Sequence, residues 1–228
     1  MEILEKLTKE NKPLEVITNI DEFTKFAAKA FDCEFNGTAR FFPWGTPKKI
    51  PQIFNIGVIY GASGSGKSTL LKTFGNEEKF EWDPKKSIVS HFSTPADAID
   101  KLGAVGLNSI PSWYKPYHVL SNGEKFRAEL ARKIKDGAVI DEFTSVVDRN
   151  VAKAVSVSLS KYIKRNNIKN IILATCHEDI LEWLEPDWVI NTNSGEVYSG
   201  NFSNAQISIS KYIQHQGISG QCLRTIII

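Results

Sequence analysis

The spacing of apolar residues changes several times along the chain, and each change predicts an element. Residues 1 to 19 are mixed and polar, with Pro13 and no firm period, and are assigned to nothing definite. From Ile20, the residues Phe23, Phe26, Ala27, Ala30 and Phe31 recur at three and four, which predicts a helix. Asn36-Gly37, between Cys33–Phe35 and Thr38–Phe42, predicts a short hairpin and so an antiparallel N-terminal edge. Ile56 to Tyr60 is a compact apolar run ending at glycine, the pattern of a buried strand, and an apolar helical segment follows at Thr69 to Phe74. Gly137 to Ile140 predicts a short buried strand that ends in two acids, Asp141 and Glu142. Val151, Val155, Leu159 and Tyr162 share one helical face, with Lys153, Ser156, Ser160 and Lys164 opposite, so a long amphipathic helix comes next. Asn170 to Ala174 and Asp187 to Asn191 predict two further strands, and Asn193-Ser194-Gly195 turns into a last one at Glu196 to Ser199.

Composition narrows the class without naming a function. At 228 residues, with 42% hydrophobic and 24% charged residues, the chain has the make-up of one globular domain with its own core, and collagen-like, coiled-coil and wholly disordered readings drop out. The formal net charge of +2 is too small to point to nucleic acid by charge alone. Cys33, Cys176 and Cys222 are odd in number and far apart, which argues against a disulfide framework and a zinc site and for a reducing, cytoplasmic setting. No apolar stretch approaches the ~18 residues that a membrane span needs, and the charged start MEILEKLTKENK does not resemble a signal peptide.

The chemistry enters at Gly61-Ala62-Ser63-Gly64-Ser65-Gly66-Lys67-Ser68, which fits G-x-x-x-x-G-K-[ST] at every required position between a strand and a helix. Glycines let successive backbone N–H groups turn inward around a phosphate. In such a loop Lys67 reaches the β and γ phosphates and the Ser68 hydroxyl ligates Mg²⁺, so Gly61 through Thr69 are the candidate nucleotide contacts. Asp141, at the end of its apolar strand, is the second candidate metal ligand, and Glu142 the candidate group to orient or deprotonate an attacking water.

Leu120-Ser121-Asn122-Gly123-Glu124 resembles the signature loop LSGGQ of the ABC ATPases, and Asp141 to Asp148, reading DEFTSVVD, resembles that family's Walker B and D-loop run. Thr175-Cys176-His177 is similar to its H-loop, and the elements stand in family order. The resemblance covers roughly residues 56 to 198. It implies an α/β P-loop NTPase fold of ABC type, a mostly parallel central sheet with flanking helices, an antiparallel N-terminal edge and a reduced helical subdomain at about 90–135, within an ATPase domain of residues 1–200; the tail 201–228 is of uncertain role. It also implies ATP and Mg²⁺ as ligands and a head-to-tail homodimer that forms on ATP binding. In that dimer Ser121 and Gly123 of one chain seal the nucleotide held by the other, His177 senses the γ-phosphate beside Glu142, and Asp148 works at the interface. Lys67, Glu142 and His177 carry over as the catalytic set.

The sequence also departs from the family. No glutamine occurs between Gln52 and Gln206, so the Q-loop residue is missing, and by position Ser90 or His91 replaces it. Phe41, Phe42 and Trp44 are the candidates for the adenine-stacking aromatic, with core packing of these aromatics as the alternative. Glu124 stands where the signature ends in glutamine, a form that leans toward the chromosome-maintenance and repair members. Ser121 follows Ser68 by only 53 residues, a short insertion for a transporter subunit. The wording of the motifs is similar to that of small soluble ABC ATPases of bacteria and phages, some of which continue into a GNAT-type acetyltransferase domain, of whose first strand Ala205 to Ile213 would be a remnant. Expected partners are nucleic acid or a protein. The segment Trp113 to His118 is a candidate for base stacking and Lys161 to Lys169 for phosphate contact, with core packing and a solvated face as the respective alternatives. A nucleotide-gated switch with little turnover and the ATPase subunit of a membrane transporter are the rival functions.

Overall fold

In the computed structural model residues 2–200 are described, so the tail, with Ala205–Ile213 and Cys222, lies outside the described residues. In chain order the elements are β1 (Glu2–Lys6), β2 (Leu14–Ile17), α1 (Glu22–Ala30), β3 (Thr38–Phe41), β4 (Ile56–Tyr60), α2 (Lys67–Leu71), α3 (Pro95–Ala104), α4 (Ile110–Trp113), α5 (Asn122–Lys133), β5 (Val139–Ile140), α6 (Arg149–Arg165), β6 (Ile171–Thr175), α7 (Ile180–Leu184), β7 (Trp188–Asn191) and β8 (Glu196–Ser199). Short 3₁₀ turns lie at Ile88–His91 and Tyr117–Val119. Among the described residues no helix is long and apolar enough to cross a membrane.

One sheet organises the molecule, with strand order β1-β8-β7-β4-β6-β5. The pairs β7·β4, β4·β6 and β6·β5 are parallel, whereas β8 and β1 add antiparallel strands on one side. Side-chain alternation splits each strand between two cores. Ile56, Val58, Ile171, Leu173, Ile140 and Val189 face the layer of α3, α5, α6 and α7, while Ile59, Ile172, Ala174, Val139 and Ile190 face α2, Phe54 and Leu7. Gly57 is glycine because the Trp188 ring lies across it: a Cβ there would sit 2.1 Å from the ring.

The parallel centre and the antiparallel N-terminal edge agree with the sequence expectation, but the edge is made by β1 rather than by a hairpin at Asn36-Gly37. Residues 33–35 form no strand; β3 pairs instead with β2 in a separate two-stranded sheet, with α1 in the connection between them. Gly37, at φ +79°, turns the chain so that its carbonyl accepts from Thr18 N–H, which closes this longer connection. Helix α1 forms where the apolar period placed it, and Asp21 caps it, yet none of its residues is buried and Phe23, Phe26 and Phe31 face solvent. On α6, Ser156 and Ser160 were expected opposite the core; both are buried, because α7 packs on that flank and Leu184 carbonyl accepts from Ser160 Oγ at 2.6 Å.

Candidate nucleotide site

Strand β4 runs up the middle of the sheet and delivers the glycine loop at its C-terminal end, the position where open α/β sheets bind ligands. Beside it, β6 ends at Thr175 and β5 at Ile140, so three adjacent parallel strands carry the loop, the Thr175–His177 segment and the Asp141–Glu142 pair to one edge of the sheet. The outer side of the loop is held by its neighbours. Thr192 Oγ1 and Ser65 Oγ share a hydrogen bond of 2.6 Å, Asn193 Oδ1 accepts from Ala62 N–H at 3.0 Å, and Trp44 Nε1 donates to Ser65 carbonyl at 3.1 Å. Gly64 and Gly66 take φ of +76° and +97°. Gly66 has a second constraint, since a Cβ there would come within 2.6 Å of Phe41 Cζ.

The inner side opens on a cleft of about 480 Å³ lined by Phe41, Ser63, Gly64, Gly66, Lys67, Ser68 and Thr69 on one wall and by Asp141, Glu142, Ser145, Thr175 and Cys176 on the other. Lys67 Nζ folds back and donates to Gly61 and Ala62 carbonyls at 2.9 and 2.7 Å. This set fits the ligands the sequence implies. Phosphate oxygens would find an ammonium and a glycine-walled hollow that side chains at Gly66 would fill, and a hard cation such as Mg²⁺ would find the oxygen donors it takes in Ser68 and Asp141.

The two acids are prepared differently. Asp141 Oδ1 accepts from Glu142 N–H at 2.8 Å, and Asp141 N–H donates to Glu77 Oε1 at 3.2 Å, which fixes the Asp141 peptide from both sides. Glu77 is itself paired with Lys133 at 2.7 Å. Glu142 is exposed, and it and the buried Thr144 adopt φ of +49° and +66°, left-handed conformations that cost about 1–3 kcal/mol each outside glycine and concentrate at functional sites.

The segment after Asp141-Glu142 and the Thr175–His177 segment are stitched together. Phe143 N–H donates to Ala174 carbonyl at 2.8 Å, Thr175 Oγ1 donates to Phe143 carbonyl at 3.0 Å, and His177 N–H donates back to Thr175 Oγ1 at 3.1 Å. His177 Nδ1 lies 3.4 Å from Thr144 Oγ1; a hydroxyl donating there places the ring proton of the neutral imidazole on Nε2. Burial first, and then the Arg149 guanidinium, lower the His177 pKa below the usual histidine value, with Asp179 opposing them. Arg149 grips both carboxylate oxygens of Asp179, Nε to Oδ2 at 3.1 Å and Nη2 to Oδ1, so the start of α6 is tied to the residues just after His177.

Not every expected residue reaches the cleft. Gly61, Ala62, Ser65 and His177 do not line the cleft, whereas Cys176, next to His177, does. Asp148 is the N-cap of α6, accepting from Asn150 and Val151 N–H at 2.9 and 3.0 Å. Ser121 is the exposed N-cap of α5 and Gly123 lies near Val147, and neither lines the cleft of its own chain. Asn122 opens onto a second hollow of about 640 Å³ between α5 and β5, where Lys125, Glu129 and Lys133 meet the far side of Asp141 and Glu142.

Ser90 and His91, which stand by position where the Q-loop glutamine is missing, do not line the cleft. His91 Nε2 accepts from Asp83 N–H at 3.0 Å while Nδ1 lies 2.9 Å from Ser87 carbonyl, and Ser90 Oγ bonds Ser87 Oγ, so these polar groups close their own turn. No strand lies between α2 and that turn; β5 is the sheet edge, and Glu77 supplies an acceptor beside it. Trp113 and Tyr117, candidates for base stacking, are packing residues: Tyr117 stacks on Trp82 with centroids 4.6 Å apart, and Trp113 Nε1 donates to Leu107 carbonyl. In the basic run Lys164 is paired with Glu185 at 2.8 Å. Of the three aromatics weighed for base stacking, Phe41 lines the cleft, whereas Trp44 serves the loop backbone with Lys9 over its ring. Ser145, Thr175 and Cys176 went unassigned as ligand contacts in the sequence; adjacency of β5 and β6 brings them there, and only the sheet order could have told it.

No known family model matches the chain, and no curated protein matches it in sequence. Among solved structures the chain is similar to the dimeric structure of MJ0796, described as a bacterial ABC transporter cassette, with a TM-score of 0.51, 15% identity, and 67% of this chain and 87% of that one covered. It is also similar to the dimeric post-hydrolysis state of the MJ0796 ATP-binding cassette bound to ADP and Pi, with a TM-score of 0.53, 15% identity, and 86% and 97% covered. An inward-facing metal-chelate-type ABC transporter gives a TM-score of 0.50 and 17% identity, with 71% and 77% covered. The chain therefore has the fold of the ABC ATPase cassettes.

Proposed function

We propose that this chain is a Mg²⁺-dependent ATPase of ABC type that works in the cytoplasm as a head-to-tail dimer, driving nucleic acid or a protein partner through closure and reopening. The observation that supports it most is the division of the site. Phosphate, metal and water-activating groups share one cleft, while Ser121 and Gly123 are presented on the surface away from it. One chain thus holds a nucleotide on one side only, and the missing donors exist on its twin. The domain comprises residues 1–200, with the helical subdomain at about 90–135 offering the signature.

In this reading Phe41 supports the base, and the loop Gly61–Gly66 with Lys67 and Thr69 holds the phosphates. Ser68 and Asp141 would hold Mg²⁺, which would supply neutralisation of the triphosphate charge. Glu142, whose carboxylate is exposed in the cleft while only its amide is engaged, by Asp141 Oδ1, takes the proton of the attacking water. His177, kept neutral and held through Thr144, donates Nε2–H toward the γ-phosphate. The Ser121 hydroxyl and Gly123 N–H of the second chain close the site, and Asp148 at the same edge links the two nucleotides.

Two outcomes test individual placements. Neutral His177 is the competent donor with the right tautomer, so activity falls as pH drops through its lowered pKa. Arg149→Gln removes a charge that holds this pKa down and moves the acid limb of a kcat–pH profile to higher pH. An unmoved limb would remove His177 from the reaction. Cys176 is an exposed free thiol on the cleft wall. Saturating MgATP should therefore slow its alkylation by N-ethylmaleimide at least about tenfold, with exposed Cys33 as the internal control.

A second reading, a nucleotide-gated switch with little turnover, is favoured by the missing Q-loop glutamine and by the internal use of Ser90 and His91. Steady-state phosphate release separates the two: turnover well above a Lys67→Ala control supports the ATPase, and turnover equal to it supports the switch. Service as a transporter subunit fits the similar cassettes but not the short 53-residue interval; co-purification with an integral membrane protein would favour it.

A further inference from the structure

The hydroxyl of Ser121 has a single proton, and here it goes to a carboxylate. Ser121 Oγ donates to Glu124 Oε2 at 2.8 Å, and Ser121 N–H donates to the same oxygen at 2.9 Å. The second oxygen, Oε1, accepts from Ser112 Oγ at 2.5 Å, and Ser112 is buried on α4. These three donors, Ser112 first, hold the Glu124 pKa down to about 2, so the group is an anion at any working pH. As local structure this is a capping box at the start of α5. Its consequence for a dimer is different. The hydroxyl that must turn toward the partner's γ-phosphate is already engaged by an anion of the same chain, anchored from below by Ser112.

We propose that Glu124 is a positioning residue that competes with the partner-bound triphosphate for the Ser121 hydroxyl proton, so that closing the dimer requires the Ser121–Glu124 hydrogen bond to break. This rests on the head-to-tail reading above. A hydroxyl offers one proton to two anionic acceptors, and bonds to ionised acceptors are stronger than bonds to neutral ones. The carboxylate also sets a like charge near the arriving phosphates. A glutamine at this position would compete less on both counts. Glu124 therefore raises the nucleotide occupancy needed for closure and favours reopening after phosphate leaves.

The test measures ATP-induced dimerisation of the full chain by sedimentation equilibrium, with Glu142→Gln as the parent. Adding Glu124→Gln lowers the dimer Kd by about fivefold, the gain from giving up a neutral rather than a charge-assisted bond. Glu124→Asp, which keeps the charge and the cap, stays near the parent. In a Ser121→Ala background, where there is no hydroxyl to release, only the like-charge effect remains and Glu124→Gln lowers the Kd by much less than fivefold. A purely structural cap predicts the opposite sign, because its loss loosens the signature loop and weakens the dimer. A parent that dimerises while Glu124→Gln weakens or does not change it overturns the competition alone. A parent that stays monomeric with ATP overturns the dimer reading and the competition with it.

Discussion

Replacing Glu142 by Gln lowers ATP turnover by about 100-fold or more while leaving nucleotide binding intact. The magnitude is that of losing a positioned general base, and the geometry says why this acid rather than its neighbour. Asp141 has one oxygen engaged by the Glu142 amide and its own amide fixed by Glu77, which suits a fixed metal ligand. Glu142 stands exposed on the cleft wall on a left-handed backbone that the Phe143–Ala174 hydrogen bond maintains. Glutamine keeps the shape but cannot accept the proton, so ATP persists and the dimer accumulates. Single-turnover quench separates the chemical step from binding, and normal hydrolysis by this variant would remove Glu142 from its role.

Lys67→Ala raises the Kd for MgATP by about 100-fold, the scale of losing a charged donor to two phosphates, and leaves thermal stability within about 0.5 kcal/mol of the parent. The small stability effect follows from what Lys67 does without nucleotide: it donates only to two carbonyls of its own loop, which water can satisfy in its place. Isothermal titration and thermal melting check the two parts separately. A variant that melts much earlier would make Lys67 a structural strut, and its weakened binding would say nothing of phosphate contact.

Much of the site was legible because its chemistry is local in sequence. The glycine loop, Lys67 and Ser68 are contiguous, and Asp141-Glu142 end an apolar run, so motif and strand could be read together. The same holds for β4, β6 and β7, whose near-continuous apolar runs mark strands buried on both faces. What the sequence hid depends on partners far along the chain. Asn36-Gly37 looks like a hairpin, but a strand pairs with whatever the tertiary fold brings alongside, here Leu14–Ile17. Ser156 and Ser160 read as solvent-facing because helical period cannot reveal that α7 covers a second flank. His91 occupies the right stretch for a Q-loop ligand, yet ring nitrogens closing a local turn are invisible in spacing. That Phe41, rather than Phe42 or Trp44, lines the cleft likewise shows only in the approach of its ring to Gly66.

The central claim, that each chain's cleft is completed by its twin, is tested most directly by mixing two inactive variants. Lys67→Ala abolishes the phosphate side and Ser121→Phe the lid side, and in a head-to-tail dimer of one of each, a single composite site keeps an intact Lys67 and an intact Ser121. Neither variant alone should release phosphate above background, whereas an equal mixture should regain about a quarter of the wild-type sites, since half of the random dimers are mixed and each carries one good site of two. A mixture no more active than its components would contradict the account.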